Sequence, residues 1–240
     1  MEFEEFSNIL INTAKQINVD ISKEQAEKYF TYMQLLLEWN EKINLTAITA
    51  PNEVILKHFI DSITIEKYIK QNSTVIDVGT GAGFPGIPLS IIRDDLKITL
   101  MDSLNKRIKF LDDVIEKNNL TNVDNVHSRA EELGRNRDYR ETFDVATSRA
   151  VASLNVLLEY MLPFVKVGGY CICMKGSSVE EEIKNSKKAL AVLNAKLEKV
   201  ETFNLPGSDN GRNIVIIKKV GATPSKYPRR PGTPAKEPLI

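Results

Sequence analysis

The chain has 240 residues, 42% of them hydrophobic and 27% charged, with Lys plus Arg equal to Asp plus Glu at 32 each. A formal net charge of zero excludes a global field that would draw the protein onto any nucleic acid, and leaves room only for local cationic clusters. Two cysteines and two histidines exclude a zinc framework, and no apolar run approaches a bilayer span. The acidic start MEFEEF is unlike a secretory leader, so one domain with a small appendage in the cytoplasm, taken as a monomer, is expected.

Residues 1–65 read as a helical cap. Ser22-Lys-Glu-Gln25 is a capping box, followed at helical spacing by Ala26, Tyr29, Phe30, Met33, Leu36 and Leu37. Pro51 opens a short helix through Phe59, and DSITIEKYI continues as another. From Ser73 the pattern alternates. TVIDV, KITLMD, VDNVHS, FDVATS and YCICMKG read as five strands, with NKRIKFLDDVIEKNN and SLNVLLEYMLPFV as helices, the latter stopped by Gly168-Gly169. A polar helix over 179–197 follows, then KVETFNL and RNIVIIKKV. Their short link PGSDNG predicts a hairpin and an antiparallel last strand. The expected fold is α/β, a doubly wound, mostly parallel, seven-stranded sheet over 66–220, with the cap before it and a basic, Pro-rich tail over 221–240. Cys171 and Cys173 are expected to be buried strand residues.

In such sheets ligands bind at the carboxyl ends of the strands, which singles out the turn in TVIDVGTGAGFPGIPLS, residues 74–90. Counted from Gly81 it has the G-x-G-x-x-G spacing of a dinucleotide site. Counted from Asp77 it has the acid-plus-glycine pattern of S-adenosylmethionine (SAM) sites, with Gly79, Gly81 and Gly83. A dinucleotide needs a helix N-terminus facing its pyrophosphate, which an acid at the strand end would repel. SAM carries an ammonium and a sulfonium and no phosphate, so Asp77 favours SAM. Asp102, closing the second strand, can accept both ribose hydroxyls or cap the helix after it. Ala130 and Glu131 fall where an adenine ring belongs, although Glu131 also reads as a solvated acid in a first helical turn. No Walker loop and no G-x-S-x-G elbow is present.

The fourth strand ends in ATSRAVASL, without the Asp/Asn-Pro-Pro-aromatic motif of exocyclic-amine methylation, and both cysteines lie inside a strand, which speaks against base-carbon methylation. A ring nitrogen with a free lone pair, such as guanine N7, needs neither helper; proximity and alignment then carry the catalysis.

LLLEWNEKINLTAIT (35–49), HFIDS (58–62), DVGTGAGFPGIPL, SRAEEL, TSRAVASL, MKG (174–176) and YPRRPGTPAKEPL together resemble the bacterial RsmG (GidB) family, across essentially the whole chain. The resemblance implies a Rossmann-like class I SAM-dependent methyltransferase making N7-methylguanosine at position 527, in the 530 loop of 16S ribosomal RNA. It implies cofactor contacts at Gly79, Phe84, Ala130, Glu131 and Arg149, beside Asp77, Gly81 and Asp102 read from the turn. It also implies basic positions at Arg129, Arg149, Lys175 and Arg212, with Arg149 and Lys175 at the reacting end and Arg129, Lys175 and Arg212 toward RNA. The expected partner is 16S RNA or the small ribosomal subunit. Plainer roles remain open. Arg129 can pair with Glu132, Arg212 can be a solvated strand end, His58 can be a satisfied core histidine, and Asn44 and Asp61 can hold the cap against the sheet. The tail is expected to pack extended across the surface, with Arg229 and Arg230 toward RNA. An NAD-dependent oxidoreductase, a SAM enzyme with a small-molecule or protein acceptor, and a non-enzymatic RNA-binding protein are the competing classes.

Overall fold

A computed structural model describes residues 1–177 and 179–240. Strands β1 (Thr74–Val78), β2 (Lys97–Asp102), β3 (Val123–His127), β4 (Phe143–Arg149), β5 (Val165–Lys175), β6 (Ala195–Asn204) and β7 (Gly211–Lys219) form one sheet in the order β3-β2-β1-β4-β5-β7-β6. The first five strands pair in parallel, and β7 runs antiparallel between β5 and β6, as the short hairpin link requires. The chain enters at the centre, steps outward to β3 and returns to β4. The carboxyl ends of β1 and β4 therefore flank the point where the order reverses, and a crevice opens there.

Each face of the sheet carries its own core. Val75, Leu89, Leu100, Phe110 and Leu111 pack with the cap helices α1 (Phe3–Lys15) and α2 (Lys23–Asn40) on one side. Ile76, Val78, Leu157, Leu158, Cys171 and Cys173 pack on the other. The capping box forms as expected: Ser22 accepts from the Gln25 amide, and Gln25 accepts from the Ser22 amide. Behind the glycine turn stand two cap tyrosines. Tyr29 Oη donates to the carbonyl of Pro88 at 2.7 Å, and Tyr32 Oη to that of Ala82. The cap thus sets the shape of the turn.

Three elements differ from expectation. The helix opening at Pro51 is α-helical only over Pro51–Val54; it widens into a π-turn at Ile55–Ile60 before closing at Asp61–Ile63. The helix expected to stop at Gly168-Gly169 runs over Leu154–Met161 and tightens into a 3₁₀ turn at Leu162–Phe164, because Pro163 has no amide to offer. Both glycines lie within β5. The helix expected over 179–197 breaks at Ser186 into Glu180–Asn185 and Lys187–Val192, and β6 takes over from Ala195. The Ser186 hydroxyl donates back to the Glu182 carbonyl at 2.7 Å, a local bond that competes with the helical ladder.

The tail packs extended over the β4–β5 side. Arg140 donates to the carbonyls of Thr223 and Tyr227, Arg135 donates to that of Pro228, and Tyr227 is buried. A short helix, Thr233–Lys236, brings the tail back to the crevice.

Candidate active site

The crevice is a cleft of about 1240 Å³ running from the glycine turn to the cap. Asp77 does not line it. The side chain is fully buried under the turn, where Oδ2 accepts from Thr80 Oγ1 at 2.6 Å and from the Gly86 amide at 2.9 Å. Burial pushes its carboxyl up to about 6. Asp77 is a brace, and the expectation that it meets cofactor charges directly is corrected: it points into the turn's interior, beneath the surface a ligand would touch. The brace also decides between the two cofactors. Gly86 opens the next helix, Gly86–Ile92, and its amide is consumed by a carboxylate, so the start of the helix that the G-x-G-x-x-G count points to does not offer that amide to a pyrophosphate.

Gly79 holds φ +71°, and a Cβ there would stand 2.7 Å from Val151 Cγ2, so the loop after β4 closes directly onto the turn. Gly81, at φ +63°, donates its amide to Asp102 Oδ2 at 3.0 Å.

At this end Asp102 faces the cleft and also holds the head of the helix after it. It lines the cleft at the tip of β2, and its Oδ1 accepts from the Leu104 amide at 2.9 Å at the head of the helix Asn105–Lys117. Arg107 reaches back to Oδ2 at 3.1 Å. Ala130 and Glu131 lie across from it after β3. Glu131 is buried, and its Oε1 accepts from the amide of Gly232 in the tail at 2.8 Å, so it is not a solvated acid. Gly232 and Ala235 close this wall together with Tyr160. A latch holds them: Glu159 accepts from Nε, Nη2 and the backbone amide of Arg229. Arg229 is therefore committed within the fold, which corrects its expected role toward RNA.

At the other end the expected cations are present but occupied. Arg149, the last residue of β4, donates to Asp61 Oδ2 at 3.0 Å, to the Lys57 carbonyl at 3.1 Å and to His58 Nδ1 at 3.2 Å. Its guanidinium lies 4.8 Å from the centre of the Phe84 ring, and its side chain is only 13% exposed. The widened π-turn delivers these partners. Arg212 donates to the other oxygen of Asp61 at 3.1 Å. Lys175 donates to the Ala152 carbonyl at 2.6 Å and to Glu182 Oε2 at 2.7 Å, tying the loop after β4 to the helix Glu180–Asn185. The rim therefore holds one balanced pair, Lys175 with Glu182, and one cluster in which Arg149 and Arg212 share the single carboxylate of Asp61 and keep one net positive charge between them. Arg129 alone of the four is exposed, and no ion pair to Glu132 forms among the described residues. Phe84 stacks on His58 at 4.5 Å and 19°, beside Arg149 and away from the adenine wall.

His58 is both a satisfied histidine and a cleft residue. Nε2 meets Thr46 Oγ1 at 2.8 Å, and burial next to Arg149 pushes the imidazole down to about 3. Sequence reasoning gave Asp61 a holding role but not its bridge between two arginines, and it did not single out Thr46, Glu159, Glu182 or Gly232. HFIDS and LTAIT carried a local hint for Asp61 and Thr46, and YPRRPGTPAKEPL one for Gly232.

A family model described as GidB, rRNA small subunit methyltransferase G, matches residues 25–214. The chain is 56% identical over 232 residues to a ribosomal RNA small subunit methyltransferase G of Acetivibrio thermocellus, covering 96% of each chain. It is 52% identical to one of Alkaliphilus metalliredigens, covering 96% of this chain and 98% of that one. The chain belongs to the rRNA small subunit methyltransferase G family. Its fold agrees: a SAM dependent methyltransferase from Aquifex aeolicus superposes with TM-score 0.53 at 16% identity over 75% of this chain and 97% of that one. M. jannaschii TYW2, solved in complex with AdoMet, does so with TM-score 0.53 at 17% identity over 67% and 77%. Members of this family are methyltransferases, which removes the oxidoreductase and the non-enzymatic binder from contention.

Proposed function

We propose that the protein transfers a methyl group from SAM to N7 of a guanine in 16S ribosomal RNA, at position 527 of the 530 loop, without a general base. Kinship over nearly the full chain to enzymes named for small-subunit ribosomal RNA supports the acceptor class. The donor is supported by membership of a methyltransferase family and by a glycine turn whose Gly86 amide is already taken by Asp77. Asp102, Gly79, Gly81, Ala130 and Glu131, with Gly232 and Ala235 of the tail, would hold it. Bound there, SAM supplies a methyl on a cationic sulfur, which passes to a lone pair as the S–C bond breaks and leaves a neutral thioether.

One observation carries the choice of N7: the three candidate bases at the acceptor end of the cleft, His58, Asp61 and Glu182, are each tied to a cation or a backbone amide. His58 is neutral with both ring nitrogens paired, Asp61 spans two arginines, and Glu182 accepts from Lys175 and from the Leu154 amide. An acceptor that must lose a proton during attack would meet a neutral imidazole and carboxylates whose pairing with cations weakens them as bases. Guanine N7 has none to lose, so alignment suffices. Arg149 and Lys175 act at this end as paired charges. They orient the base without repelling the purine, which turns cationic on methylation. Arg129 and Arg212 face the RNA side, Arg212 with its charge shared by Asp61. The N7 edge of A-form RNA lies in a groove too deep and narrow for a protein pocket, so the target base is taken from a loop or flipped out. The same reading divides the chain into a cap over 1–65, a methyltransferase domain over 66–220 and a tail over 221–240, working in the cytoplasm. No helix among the described residues is long and apolar enough to cross a membrane.

The test supplies labelled SAM and 30S subunits lacking their native base methylation, then probes the RNA by reduction and aniline cleavage. Label with a new break at position 527 is the expected result. Label without that break overturns N7, and label absent from RNA overturns the acceptor.

A further inference from the structure

A chain of hydrogen bonds at the acceptor end has its direction set from one side. A guanidinium has donors only. Arg149 Nη2 lies 3.2 Å from His58 Nδ1, so that nitrogen accepts, and the single proton of the neutral ring sits on Nε2. The low affinity of this ring for a second proton keeps it neutral at physiological pH. Stacking on Phe84 fixes its plane. Nε2 therefore donates to Thr46 Oγ1 at 2.8 Å, and the Ile48 amide donates to the same oxygen at 3.0 Å. A hydroxyl has two lone pairs and one proton. Both lone pairs are taken, and only donation remains.

Thr46 lines the same cleft as Gly79, Arg149 and Lys175, and its hydroxyl proton has no acceptor among the described residues. Its loop is pinned, because Asn40 Oδ1 accepts from the amides of Leu45 and Thr46 at 2.8 and 2.9 Å. A fixed donor in a partly desolvated site requires an acceptor on its ligand.

We propose that the Thr46 hydroxyl, compelled to donate by the Arg149–His58 relay, reads O6 of the acceptor purine and so selects guanine over adenine. The inference rests on the guanine-N7 reading above. Guanine presents N7 and O6 as two acceptors on one edge, whereas adenine places an amino donor where O6 would be. Donation to O6 leaves the N7 lone pair free for the methyl group. Against adenine, two donors would face one another and neither would be satisfied, a mismatch that lowers kcat/KM by about 10- to 100-fold for one hydrogen bond. Donation to O6 also draws electron density from the purine, so its benefit is recognition and orientation and not a faster chemical step.

The experiment uses the full chain and 30S subunits reconstituted from ligated 16S RNA carrying guanine or 2-aminopurine, which lacks O6, at the target position. kcat/KM is measured for the wild type, Thr46→Val and Thr46→Ser. The wild type is expected to prefer guanine over 2-aminopurine about 10- to 100-fold more strongly than Thr46→Val does, with Thr46→Val slowed on guanine and Thr46→Ser regaining the preference. All three should bind SAM alike. Any intrinsic difference in N7 reactivity is common to the three proteins and cancels. Thr46→Val at the wild-type rate on guanine, or retaining the full preference, overturns the proposal. So does a wild type indifferent to the two bases, a result that requires no variant to fold. Failure of the underlying reading has a different signature, in which the wild type puts no label into guanine at all.

Discussion

The two ends of the cleft solve the same problem in opposite ways. The cofactor end is built from backbone: glycines at positive φ, amides turned toward carboxylates, and a C-terminal segment folded back as a wall. The acceptor end is built from long charged side chains, each clamped by a counter-charge from another element. One half gains shape by removing side chains, the other by locking them. The difference teaches that the cations at this end are held in fixed positions, Lys175 by Glu182 and the two arginines by one shared carboxylate.

Asp61→Ala breaks the comparison most sharply. It strands Arg149 and Arg212 together, and removing one partner of a buried pair costs about 3–5 kcal/mol. The urea midpoint should fall accordingly, with methyl transfer lost. An unchanged midpoint would mean that the bridge does not hold the cap to the sheet.

Arg229→Ala attacks the other end. It leaves the Glu159 carboxylate, 1% exposed, without its partner and frees the wall formed by Gly232 and Ala235. Loss of these charge-assisted bonds should cost about 2 kcal/mol and weaken SAM binding by about tenfold, with RNA affinity unmoved. Titrating the variant with SAM and with RNA separates this from a direct RNA contact, for which the second affinity would fall.

The third prediction concerns pH. Asp77 binds its proton up to about 6 in the folded chain, against 3.8 when unperturbed, so it subtracts stability as pH rises between those values. His58, about 3 folded and 6.5 unperturbed, adds stability as pH rises across the same window. The two slopes oppose each other. Asp77→Asn should leave that of His58 unopposed, so thermal stability climbs more steeply from pH 4 to pH 6 than in the wild type. An equal or shallower slope would remove Asp77 from the balance.

Smallest in stability is Arg129→Ala, expected to lie within about 0.5 kcal/mol of the wild type because the residue is exposed and forms no ion pair among the described residues. RNA affinity should fall and its logarithmic salt dependence should lessen by about 0.7–0.9, one phosphate contact. An unchanged salt slope would remove this cation from the RNA contact.

Much of the fold was legible because it is written locally. The Ser22–Gln25 box, the apolar strand runs and the PGSDNG hairpin each lie within a few residues of the structure they specify. The position of Asp77 was legible too, through strand parity. It shares a face with Val75, which the cap covers, so alternation alone directs it inward. The pairings were not legible. Asp61 meets Arg149 across 88 positions and Arg212 across 151, and Glu131 meets the tail across 101. Nothing in a local pattern encodes such distances. Reading cations as free was the natural error, because a sequence displays a charge and conceals its partner. The break at Ser186 has the same character on a small scale, as a hydroxyl that can satisfy a carbonyl one turn back leaves no mark on apolar periodicity.

The wall formed by Gly232 and Ala235 has a consequence for the order in which the molecule comes into being. Synthesis proceeds from the N-terminus, and domains begin to fold as they emerge. The glycine turn at 79–86 is thus made early and waits for nearly the whole remaining chain before its opposite wall arrives. A half-made copy still threaded through the machine that builds it has a trough where the finished protein has a chamber.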